Sequence, residues 1–426
     1  MKLAWYGDDF TGSTDVLEAL TLAGVRARLF LEAPDDPGDV EAAGLAGTSR
    51  AMSPAEMDRE LPRAFAALRA PTLHYKTCST FDSSPAIGSI GRAIEIGRRV
   101  TGARWVPLVV GAPALRRYTV FGQLFATLEG VTHRIDRHPV ASRHPVTPMD
   151  ESDLRRHLAR QTALRVELFD VLQLDAPEVR FDPAADVVLF DVLRDAHLET
   201  IGRLLEEHKP RFVAGSSGIE YALTAKRPRV TLPPVDAADQ ILVLSGSCSA
   251  VTARQIEWAL ANGYEGLRMG AGVERRAAEL LKLGRSVVIY TALGPDDPAV
   301  GDARADGAAL GERLGEACAA LLRHVRRVVV AGGDTSGRVG RRLGLRSLDM
   351  IAPVAPGSPL CRADVDGLEI AMKGGQVGRP DYFEKVRLGT RRRDEHDRAV
   401  RGGRQDGMSD RGQPEVDGAP DALCRG

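Results

Sequence analysis

The chain has 426 residues, of which 43% are hydrophobic and 27% are charged, and its formal net charge at pH 7 is −1. That length exceeds what one ordinary core fills, so two or three domains are expected. A charge this close to zero and an aromatic content of only 5% argue against a nucleic-acid-binding protein. The five cysteines have neither paired nor metal-type spacing, which favours a reducing compartment over a disulfide framework.

The start of the chain carries no recognisable export or membrane signal. Residues 1–6 enter directly into a strand-like segment, without the basic and apolar regions of a secretory signal. No apolar run in the sequence approaches the ~18 residues that span a bilayer. We therefore expect a cytoplasmic protein that has no membrane partner.

Short apolar runs alternate with longer helix-like stretches through the first half of the chain. Strands are predicted at residues 3–6, 73–76, 105–110, 187–191 and 212–214, and helices at residues 14–23 and 85–99. Buried parallel strands are rich in Val, Ile and Leu in this way, and their alternation with helices is typical of βαβ units. The first half is therefore predicted to be an α/β domain.

The second half repeats the alternation after a break. Between residues 225 and 239 the pattern lapses into a stretch with several prolines, which is typical of a linker. Strands are then predicted at residues 241–244, 287–290 and 328–331, and helices at residues 250–262 and 306–323. Residues 391–426 contain almost no large apolar side chain, so this tail is predicted to be disordered.

The predicted fold class is α/β, with two domains at residues 1–234 and 235–390. Each domain is expected to hold a mostly parallel sheet flanked by helices. In open α/β sheets, ligands bind at the carboxyl ends of the strands, where the connecting turns converge. A ligand cleft is accordingly expected between the two domains, lined by the turns that follow their strands.

The first candidate turn, residues 7–15, follows the first strand and contains the adjacent carboxylates Asp8 and Asp9. They can accept hydrogen bonds from substrate hydroxyls, and either can serve as a base. The residues after them open a helix, where free backbone amides favour anions. A structural alternative is that Asp9 or Thr11 only caps this helix. One cap does not account for three acids and three hydroxyls in nine positions.

The second candidate turn, residues 76–85, follows another strand and supplies Lys76, Ser79 and Thr80. The lysine can pair with a carboxylate or phosphate, and the hydroxyls can bind a polyol. Capping of the next helix by Ser84 is a structural role that is compatible with this function.

Two further positions in the first half are candidates. Ser216 lies in a Gly-Ser-Ser-Gly turn after a predicted strand, where it can bind an anion or a substrate hydroxyl. His144 begins a His-Pro-Val-Thr-Pro segment, and a histidine can serve acid–base chemistry near neutral pH. A proline-stiffened connection explains the same segment, so both interpretations of His144 stay open.

Three turns rich in glycine and serine follow predicted strands of the second half. They contain, in chain order, Ser247 and Ser249, then Gly332, Gly333, Asp334, Thr335 and Ser336, and finally Gly374 and Gly375. Small residues let the backbone approach phosphate groups closely, and hydroxyls and amides donate to their oxygens. Asp334 is the candidate ligand for Mg²⁺, with helix capping as its structural alternative. Neither the P-loop pattern nor the dinucleotide fingerprint Gly-x-Gly-x-x-Gly is present.

These turns, taken in order, resemble the four-carbon acid sugar kinase family over essentially the whole chain except the tail. The resemblance rests on residues 8–12, 76–85, 144–148, 246–249, 332–337 and 373–378. It implies an N-terminal domain that binds a sugar acid and a C-terminal domain that binds ATP with Mg²⁺. It also implies phosphorylation of the terminal hydroxyl of a four-carbon acid such as threonate, erythronate or 3-oxo-tetronate. A branched acid such as 3-oxo-isoapionate is the alternative substrate.

Carried over by position, the resemblance implies a role for each candidate. The acid would meet Asp8, Asp9, Lys76, Ser79 and Thr80, and ATP would meet the three turns of the second half. For the transfer itself, we expect Asp8 or Asp9 to accept or orient the hydroxyl proton and Asp334 to organise Mg²⁺.

One departure from the family pattern concerns the substrate. Many members have Asp-Ser-Thr-Leu-Arg-Gly where this chain has Cys-Ser-Thr-Phe-Asp-Ser, so Asp82 replaces an arginine suited to a carboxylate. The replacement implies a different acid, a branched acid, or a carboxylate held by Arg116, Arg117 or Lys76 instead.

Two other classes of protein fit parts of the pattern. A nicotinamide-dependent oxidoreductase of sugar acids would need the dinucleotide fingerprint with an acidic residue ~20 positions later, a pairing that is not found. A non-enzymatic sugar-acid-binding protein would need no second set of phosphate-type turns. The sequence leaves homo-oligomerisation open.

Overall fold

The structure is a computed structural model that describes residues 2–144, 146–301, 307–365 and 367–390. Its strands are β1 (Leu3–Gly7), β2 (Ala27–Phe30), β3 (Ala42–Ala46), β4 (Thr72–Lys76), β5 (Val106–Val109), β6 (Arg117–Val120), β7 (Gln123–Leu128), β8 (Val131–Arg134), β9 (Val166–Phe169), β10 (Val187–Phe190), β11 (Phe212–Gly215), β12 (Leu242–Ser245), β13 (Glu265–Arg268), β14 (Val287–Tyr290), β15 (Arg327–Ala331), β16 (Ser347–Ala355), β17 (Ser358–Ala363) and β18 (Glu369–Lys373). Its helices are α1 (Phe10–Leu22), α2 (Pro54–Ala67), α3 (Ile90–Thr101), α4 (Leu154–Ala159), α5 (Val171–Leu174), α6 (Asp195–His208), α7 (Gly218–Leu223), α8 (Ala250–Ala261), α9 (Val273–Lys282), α10 (Gly307–Leu321), α11 (Gly333–Arg342) and α12 (Tyr382–Leu388). The predicted disordered tail, residues 391–426, lies outside the described residues.

A single sheet of fifteen strands runs through the molecule, in the order β13-β14-β12-β15-β18-β17-β16-β2-β3-β1-β4-β11-β5-β10-β9. The eight strands from β2 to β9 in this order are paired in parallel, and so are the five from β13 to β18. Helices connect most of these strands, which confirms the predicted α/β class. The sequence predicted one sheet in each domain, whereas the structure joins the two parallel blocks edge to edge.

The hairpin β16–β17 forms this joint. Strand β16 pairs antiparallel with both β2 and β17, and β17 pairs antiparallel with β18. The parallel strands of the two halves therefore run in opposite directions. Arg28 in β2 and Asp349 in β16 form a two-point ion pair across the joint, with N–O distances of 2.8 and 2.9 Å. Such a bidentate pair fixes orientation as well as distance.

The predicted strands are buried because their side chains are apolar on both faces. Strands β10 and β12 read Val-Val-Leu-Phe and Leu-Val-Leu-Ser, and every one of their residues is buried. Uniform apolar runs of this kind suit parallel strands that are covered on both faces of the sheet.

The boundary between the halves is less sharp than the sequence suggested. Residues 225–239, where a linker was predicted, contain neither helix nor strand. Because the sheet continues from one half into the other, the division into residues 1–234 and 235–390 stays a prediction. No helix within the described ranges is both long and apolar enough to cross a membrane.

The helix after β4 begins later than the sequence predicted. Helix α3 starts at Ile90, and Ser89 caps it by accepting a hydrogen bond from a first-turn amide. Ser84, the predicted cap, accepts from the Ile87 amide at 2.9 Å and forms a separate turn. A serine hydroxyl that bonds locally in this way offers the backbone an alternative to the helix.

Helix α1 fastens the two halves together at the tip of the hairpin. Thr14 Oγ1 donates to the Gly357 carbonyl at 3.0 Å, and the Gly357 amide donates to the Glu18 carboxylate. The φ of Gly357, +78°, is one that favours glycine. Asp15, the next residue of the helix after Thr14, accepts a hydrogen bond from Ser217 in the first half. The position of α1 is thus determined by contacts with both halves.

We expect Glu18→Gln to stabilise the protein in alkaline solution. Burial raises the pKa of Glu18 to about 8, against the opposing effect of the Gly357 amide. The native state carries this buried charge above pH 8, so the wild-type stability falls as the pH rises from ~4.3 to about 8. An uncharged amide removes the penalty. The free energy of unfolding at pH 9, measured by urea titration, should therefore rise by on the order of 2–4 kcal/mol.

The gain should shrink as the pH falls toward about 5, because Glu18 is then protonated in the native wild type. Glu60→Gln is the matched control, since Glu60 is exposed. A Glu18→Gln protein that is less stable than the wild type at pH 9 would contradict the prediction.

Candidate active site

Four strand ends of the first half lie side by side. The Asp8 amide, after β1, donates to the Lys76 carbonyl at the end of β4, at 2.9 Å. The Thr77 amide donates to the Gly215 carbonyl at the end of β11, at 2.7 Å. The Ser216 amide, which follows Gly215 in the chain, donates to the Val109 carbonyl at the end of β5. The sequence-predicted sugar-side turns are therefore brought to one edge of the sheet.

Asp8 is a buried carboxyl with a free oxygen. Its Oδ1 is shielded from solvent and has no hydrogen-bond partner among the described residues. Burial raises the pKa of Asp8 to about 7, with Asp9 adding to the rise and Arg50 and Lys76 opposing it. A carboxyl with this pKa can take up and release a proton near neutral pH, as general-base catalysis requires.

Both carboxylate oxygens of Asp9 are engaged. Its Oδ1 accepts a hydrogen bond from the Gly12 amide at 2.5 Å, so Asp9 caps helix α1. This is the capping role that the sequence left open for Asp9. Its Oδ2 accepts from Arg50 Nη1 at 2.8 Å. Of the two candidate bases, Asp8 is therefore the one with a free oxygen.

Arg50 is a site residue that the sequence did not reveal. Its guanidinium bridges Asp9 and Asp82, with N–O distances of 2.8 and 2.5 Å. It follows strand β3, whose sequence Ala-Ala-Gly-Leu-Ala is too poor in large apolar residues to predict a strand. Had strand β3 been recognised, the basic residue shortly after its end would have indicated that Arg50 belongs to the site.

The turn after β4 folds back so that Thr80 and Asp82 meet. Phe81 adopts φ +57°, a left-handed conformation that is uncommon for a bulky residue, and its side chain is buried. Thr80 Oγ1 donates to Asp82 at 2.5 Å, and Thr147 Oγ1 donates to the same carboxylate at 3.2 Å. Burial opposes ionisation of Asp82, but Arg50 and the hydroxyl partners hold its pKa below the ordinary value.

Lys76 is buried and charged. Its Nζ lies 3.2 Å from Asp15 Oδ2 and donates to the Thr77 carbonyl at 3.0 Å. Burial opposes protonation of the amine, but Asp15 and Asp8 hold its pKa above the ordinary value. A Cβ added at Gly12 would lie 3.3 Å from Lys76 Nζ and 3.6 Å from Asp8 Oδ1. The start of α1 therefore faces both charged groups.

The remaining sugar-side candidates differ in how their polar groups are used. Ser79 is half-buried, and its hydroxyl makes no hydrogen bond within the described chain. Ser216 is buried and donates its hydroxyl proton to the Val110 carbonyl at 2.7 Å. His144 Nδ1 accepts a hydrogen bond from the Thr147 amide, and its Nε2 lies 4.0 Å from the Asp82 carboxylate. Ser79 is thus the hydroxyl of this group that is free to meet a ligand.

Three strand ends of the second half also lie side by side. The Gly246 amide after β12 donates to the Ala331 carbonyl at the end of β15, at 3.1 Å. The Gly332 amide donates to the Lys373 carbonyl at the end of β18, at 2.9 Å. The three glycine- and serine-rich turns predicted from the sequence are therefore neighbours.

Gly375 occupies a place where no side chain fits. A Cβ there would lie 2.7 Å from Ser247 Oγ and 3.0 Å from Ser249 Cβ. The Gly375 carbonyl accepts from Ser249 Oγ at 2.8 Å and from Thr252 Oγ1 at 2.9 Å. Beneath the turn, buried Lys373 donates to Thr252 at 3.0 Å, and burial lowers its pKa to about 7. The two serines thus shape this turn.

Thr335 is buried between two other glycines. A Cβ added at Gly246 would lie 2.2 Å from Thr335 Oγ1, and one at Gly332 would lie 3.0 Å from it. Ser336 donates its hydroxyl proton to the Gly332 carbonyl at 2.8 Å. These hydroxyls hold the turns together, while the first amides of α11 remain available to an anion.

Asp334 lies in the first turn of α11 with its side chain exposed. Gly332 is the N-cap of this helix, so the capping alternative for Asp334 is wrong. Within the described residues, no three carboxylate, histidine or cysteine side chains are grouped to hold a metal ion. Mg²⁺ commonly binds through one or two carboxylates together with substrate phosphates, and a single free carboxylate such as Asp334 fits that pattern.

Thr11 brings the two sets of turns into contact. It lies at the start of α1, directly after the turn that carries Asp8. A Cβ added at Gly374 would lie 3.4 Å from Thr11 Oγ1, and one at Gly333 would lie 3.9 Å from the same oxygen. The first turn of the N-terminal half therefore meets two of the three turns of the C-terminal half.

A cavity of about 580 Å³ lies elsewhere on the second half, lined by Gln240, His324, Arg326 and Leu368 among others. These residues precede β12, β15 and β18, so the cavity is at the amino ends of the strands. Ligands of open α/β sheets bind at the opposite, carboxyl ends. The turns, and not this cavity, are therefore the candidate active site.

Comparison with known proteins identifies the family. Residues 3–223 match the sugar-binding N-terminal domain, and residues 242–383 match the nucleotide-binding C-terminal domain. The chain belongs to the four-carbon acid sugar kinase family. It is 47% identical to a 3-oxo-isoapionate kinase from Paraburkholderia graminis over 444 residues, covering 91% of this chain and 94% of the relative. It is 32% identical to a 3-oxo-tetronate kinase from Cupriavidus necator over 427 residues, covering 90% and 96%.

Solved structures share the fold. A Salmonella typhimurium LT2 protein described as a tRNA synthase has a TM-score of 0.76 and 24% identity, covering 90% of this chain and 98% of that one. A Haemophilus influenzae protein has a TM-score of 0.69 and 20% identity, with the same two coverages. At these identities the likeness concerns the fold alone.

We expect Gly375→Ala to weaken nucleotide binding. The added methyl group must displace Ser247 Oγ, 2.7 Å away, or move the turn that the two serines hold. Overpacking of this kind costs about 1–3 kcal/mol, so the KM for ATP should rise about 10- to 100-fold in steady-state kinetics.

Gly270→Ala is the matched control, because its Cβ would approach no atom more closely than 3.8 Å. An unchanged KM for ATP in Gly375→Ala would show that the nucleotide does not depend on this turn.

Proposed function

We propose that this protein is an ATP-dependent kinase that phosphorylates the terminal hydroxyl of a small sugar acid. The contact of Thr11 with Gly374 carries the proposal, because it joins a carboxylate-rich turn to phosphate-type turns. Phosphoryl transfer needs little covalent chemistry from a protein and depends on positioning two substrates and neutralising charge. Two sets of strand-end turns that meet are suited to this task.

Asp8 is the proposed general base. Its free Oδ1 would take the proton of the attacking hydroxyl as the new oxygen–phosphorus bond forms and the bond to the leaving phosphate oxygen breaks. Its pKa of about 7 suits a base that works near neutral pH. Arg50 and Asp9, which form an ion pair beside it, would hold the turn in place.

The nucleotide is proposed to lie against the three turns of the second half. The amides at the start of α11 would donate to phosphate oxygens, and the turn at Gly374 and Gly375 would contact the nucleotide through its backbone. Asp334 would hold Mg²⁺, which neutralises phosphate charge when it is bound.

The preferred acceptor is proposed to be the branched acid 3-oxo-isoapionate. The relative that carries this name is 47% identical to the chain, against 32% for the 3-oxo-tetronate kinase of Cupriavidus necator. The replacement of the family arginine by Asp82 also favours an acid other than the ordinary four-carbon ones. 3-Oxo-tetronate is the second candidate, supported by its own named relatives.

The other classes of protein are less well supported. Both kinase relatives are similar over at least 90% of this chain, which argues against an oxidoreductase or a non-enzymatic binding protein. Use of cytosolic ATP would place the protein in the cytoplasm.

We expect Asp8→Asn to abolish most of the turnover. The wild-type kcat/KM for the acid should rise with pH and level off above about 7, because Asp8 must be ionised to accept a proton. The variant should lose about 100-fold or more in kcat and should lose this pH dependence. Steady-state kinetics from pH 5.5 to pH 9, within the usual buffer range, tests both effects.

Asp39→Asn, at an exposed position, is the control for general loss of charge. A wild-type rate in Asp8→Asn would reject Asp8 as the base. A reduced rate that keeps the same pH profile would assign the profile to another group.

We expect Asp334→Ala to lower kcat strongly while leaving the fold intact. The side chain is exposed and unbonded, so its removal should shift the thermal midpoint by no more than about 2 °C. Loss of a metal-organising carboxylate should reduce kcat by about 100-fold or more. The measurement is ADP release from MgATP with each of four acceptors: 3-oxo-isoapionate, 3-oxo-tetronate, threonate and erythronate.

Asp239→Ala, at an exposed carboxylate beside the remote cavity, is the matched control. Wild-type turnover in Asp334→Ala would reject its role. Equal kcat/KM values for all four acids would reject the proposed preference.

A further inference from the structure

Arg117 is a half-buried arginine that has no acidic partner among the described residues. Its Nη1 donates to the carbonyls of Leu115 at 3.1 Å and Thr127 at 3.5 Å. Its Nε is shielded from solvent and has no hydrogen-bond partner, and its Nη2 makes no hydrogen bond within the described chain. The edge of the guanidinium formed by Nε and Nη2 is therefore free. That edge presents two parallel N–H groups, the geometry that matches a carboxylate.

The fold places Arg117 beside the sugar-side strand ends. Its backbone exchanges two hydrogen bonds with Ala112, at 2.8 and 3.1 Å, directly after β5. Ser216 donates to the Val110 carbonyl at the same strand end. The hairpin β6–β7 that begins at Arg117 is anchored at its other end, because Asp191 accepts the Gly122 amide at 3.0 Å. Arg117 thus lies at the end of the row of turns that begins with Asp8.

The other cations of this site are already paired. Arg50 bridges Asp9 and Asp82, and Lys76 is paired with Asp15. Arg117 has no such compensation, and a shielded charge without a partner is strongly unfavourable.

One observation places the uncompensated charge near the turn of residues 76–85, and a second shows that the charge acts on a neighbouring histidine. Burial lowers the pKa of Arg117, and the neighbouring Cys78 thiol opposes that shift. The pKa of His138 is lowered mainly by its own burial and, second, by the positive charge of Arg117. An anion that reached the free edge of Arg117 would balance this charge.

We propose that Arg117 binds the carboxylate of the sugar acid through Nε and Nη2. The inference rests on the proposed function and deepens it by assigning the acid group of the substrate to one residue. It also accounts for Asp82, which replaces the family arginine and is neutralised by Arg50. The carboxylate would then lie on the β5 side of the site, with the reacting hydroxyl toward Asp8.

Arg117→Met tests the assignment, with Arg104→Met as the matched control because Arg104 is exposed and precedes β5, at the end of that strand away from the site. The KM for the acid should rise about 10- to 100-fold in Arg117→Met, because that is the loss of affinity expected when charged hydrogen bonds are removed. The kcat and the KM for ATP should stay within about threefold of the wild type. Arg117→Lys should recover part of the loss. The primary amide of the same acid, which carries no charge, should be turned over equally by wild type and Arg117→Met.

The stability of the variant separates binding from structure. Its thermal midpoint should lie within about 4 °C of the wild type, because the lost charge had no acidic partner within the described residues. An unchanged KM for the acid would overturn the inference, as would an equal loss for the acid and its amide. If Arg117→Met does not fold, Arg117→Lys carries the same comparison.

Direct binding distinguishes failure of this inference from failure of the proposed function. If wild-type protein turns over none of the acids, the kinase proposal fails, and calorimetric titration with the acid alone still tests Arg117. A Kd weakened about tenfold or more in Arg117→Met supports the inference. An equal Kd, or no binding to the wild type, overturns it.

Discussion

The hydrogen bonds between helix α1 and the Gly357 turn determine where the two halves of the active site meet. The parallel strands of the halves run in opposite directions, so the sheet alone does not bring their carboxyl ends to one place. Helix α1 leaves β1, crosses to the β16–β17 hairpin and is held there by Thr14 and Glu18. Because the helix begins in the turn that carries Asp8, the same contacts bring Thr11 against Gly374.

The sugar side of the site is organised by an excess of acids over bases. Four carboxylates lie around the cations Arg50 and Lys76, and three of the four are paired with them: Asp9 and Asp82 with Arg50, and Asp15 with Lys76. Asp8 forms no ion pair within the described residues, and its burial makes ionisation unfavourable. Proteins keep such unfavourable groups mainly where chemistry uses them, at some expense in stability.

The sequence predicts the parts of this protein that follow from local composition. Strands β10 and β12 are uniform apolar runs, and the turns after β1, β4, β12 and β15 were recognised from residue type alone. Strand β3 and the β16–β17 hairpin were missed, because strands of small or half-buried residues carry little local signal. Ser84 was assigned the cap that Ser89 provides, since both residues fit the pattern.

Side-chain pairing lay beyond the reach of sequence patterns. Arg50 and Asp82 are 32 positions apart, and only the packed fold shows that they form one ion pair. Asp9 and Asp8 are equivalent as neighbouring acids in the sequence. Their difference in role depends on which oxygen finds a donor, and that is decided by the start of α1 and by Arg50.

The seam between the two halves of the sheet has a mechanical consequence. The ladder between strands β2 and β16 has two residue pairs, Phe30 with Ser347 and Leu29 with Leu348, supplemented by the Arg28–Asp349 ion pair. The pairing of β16 with β17 is irregular toward the far end of β16. On either side stand broad blocks of parallel strands, which are stiff because every strand is bonded to its neighbours. Bending of the sheet would concentrate at the short β2–β16 pairing, because the parallel blocks on either side are stiffer. Any opening or closing of the halves would therefore pivot there and leave each set of turns undistorted.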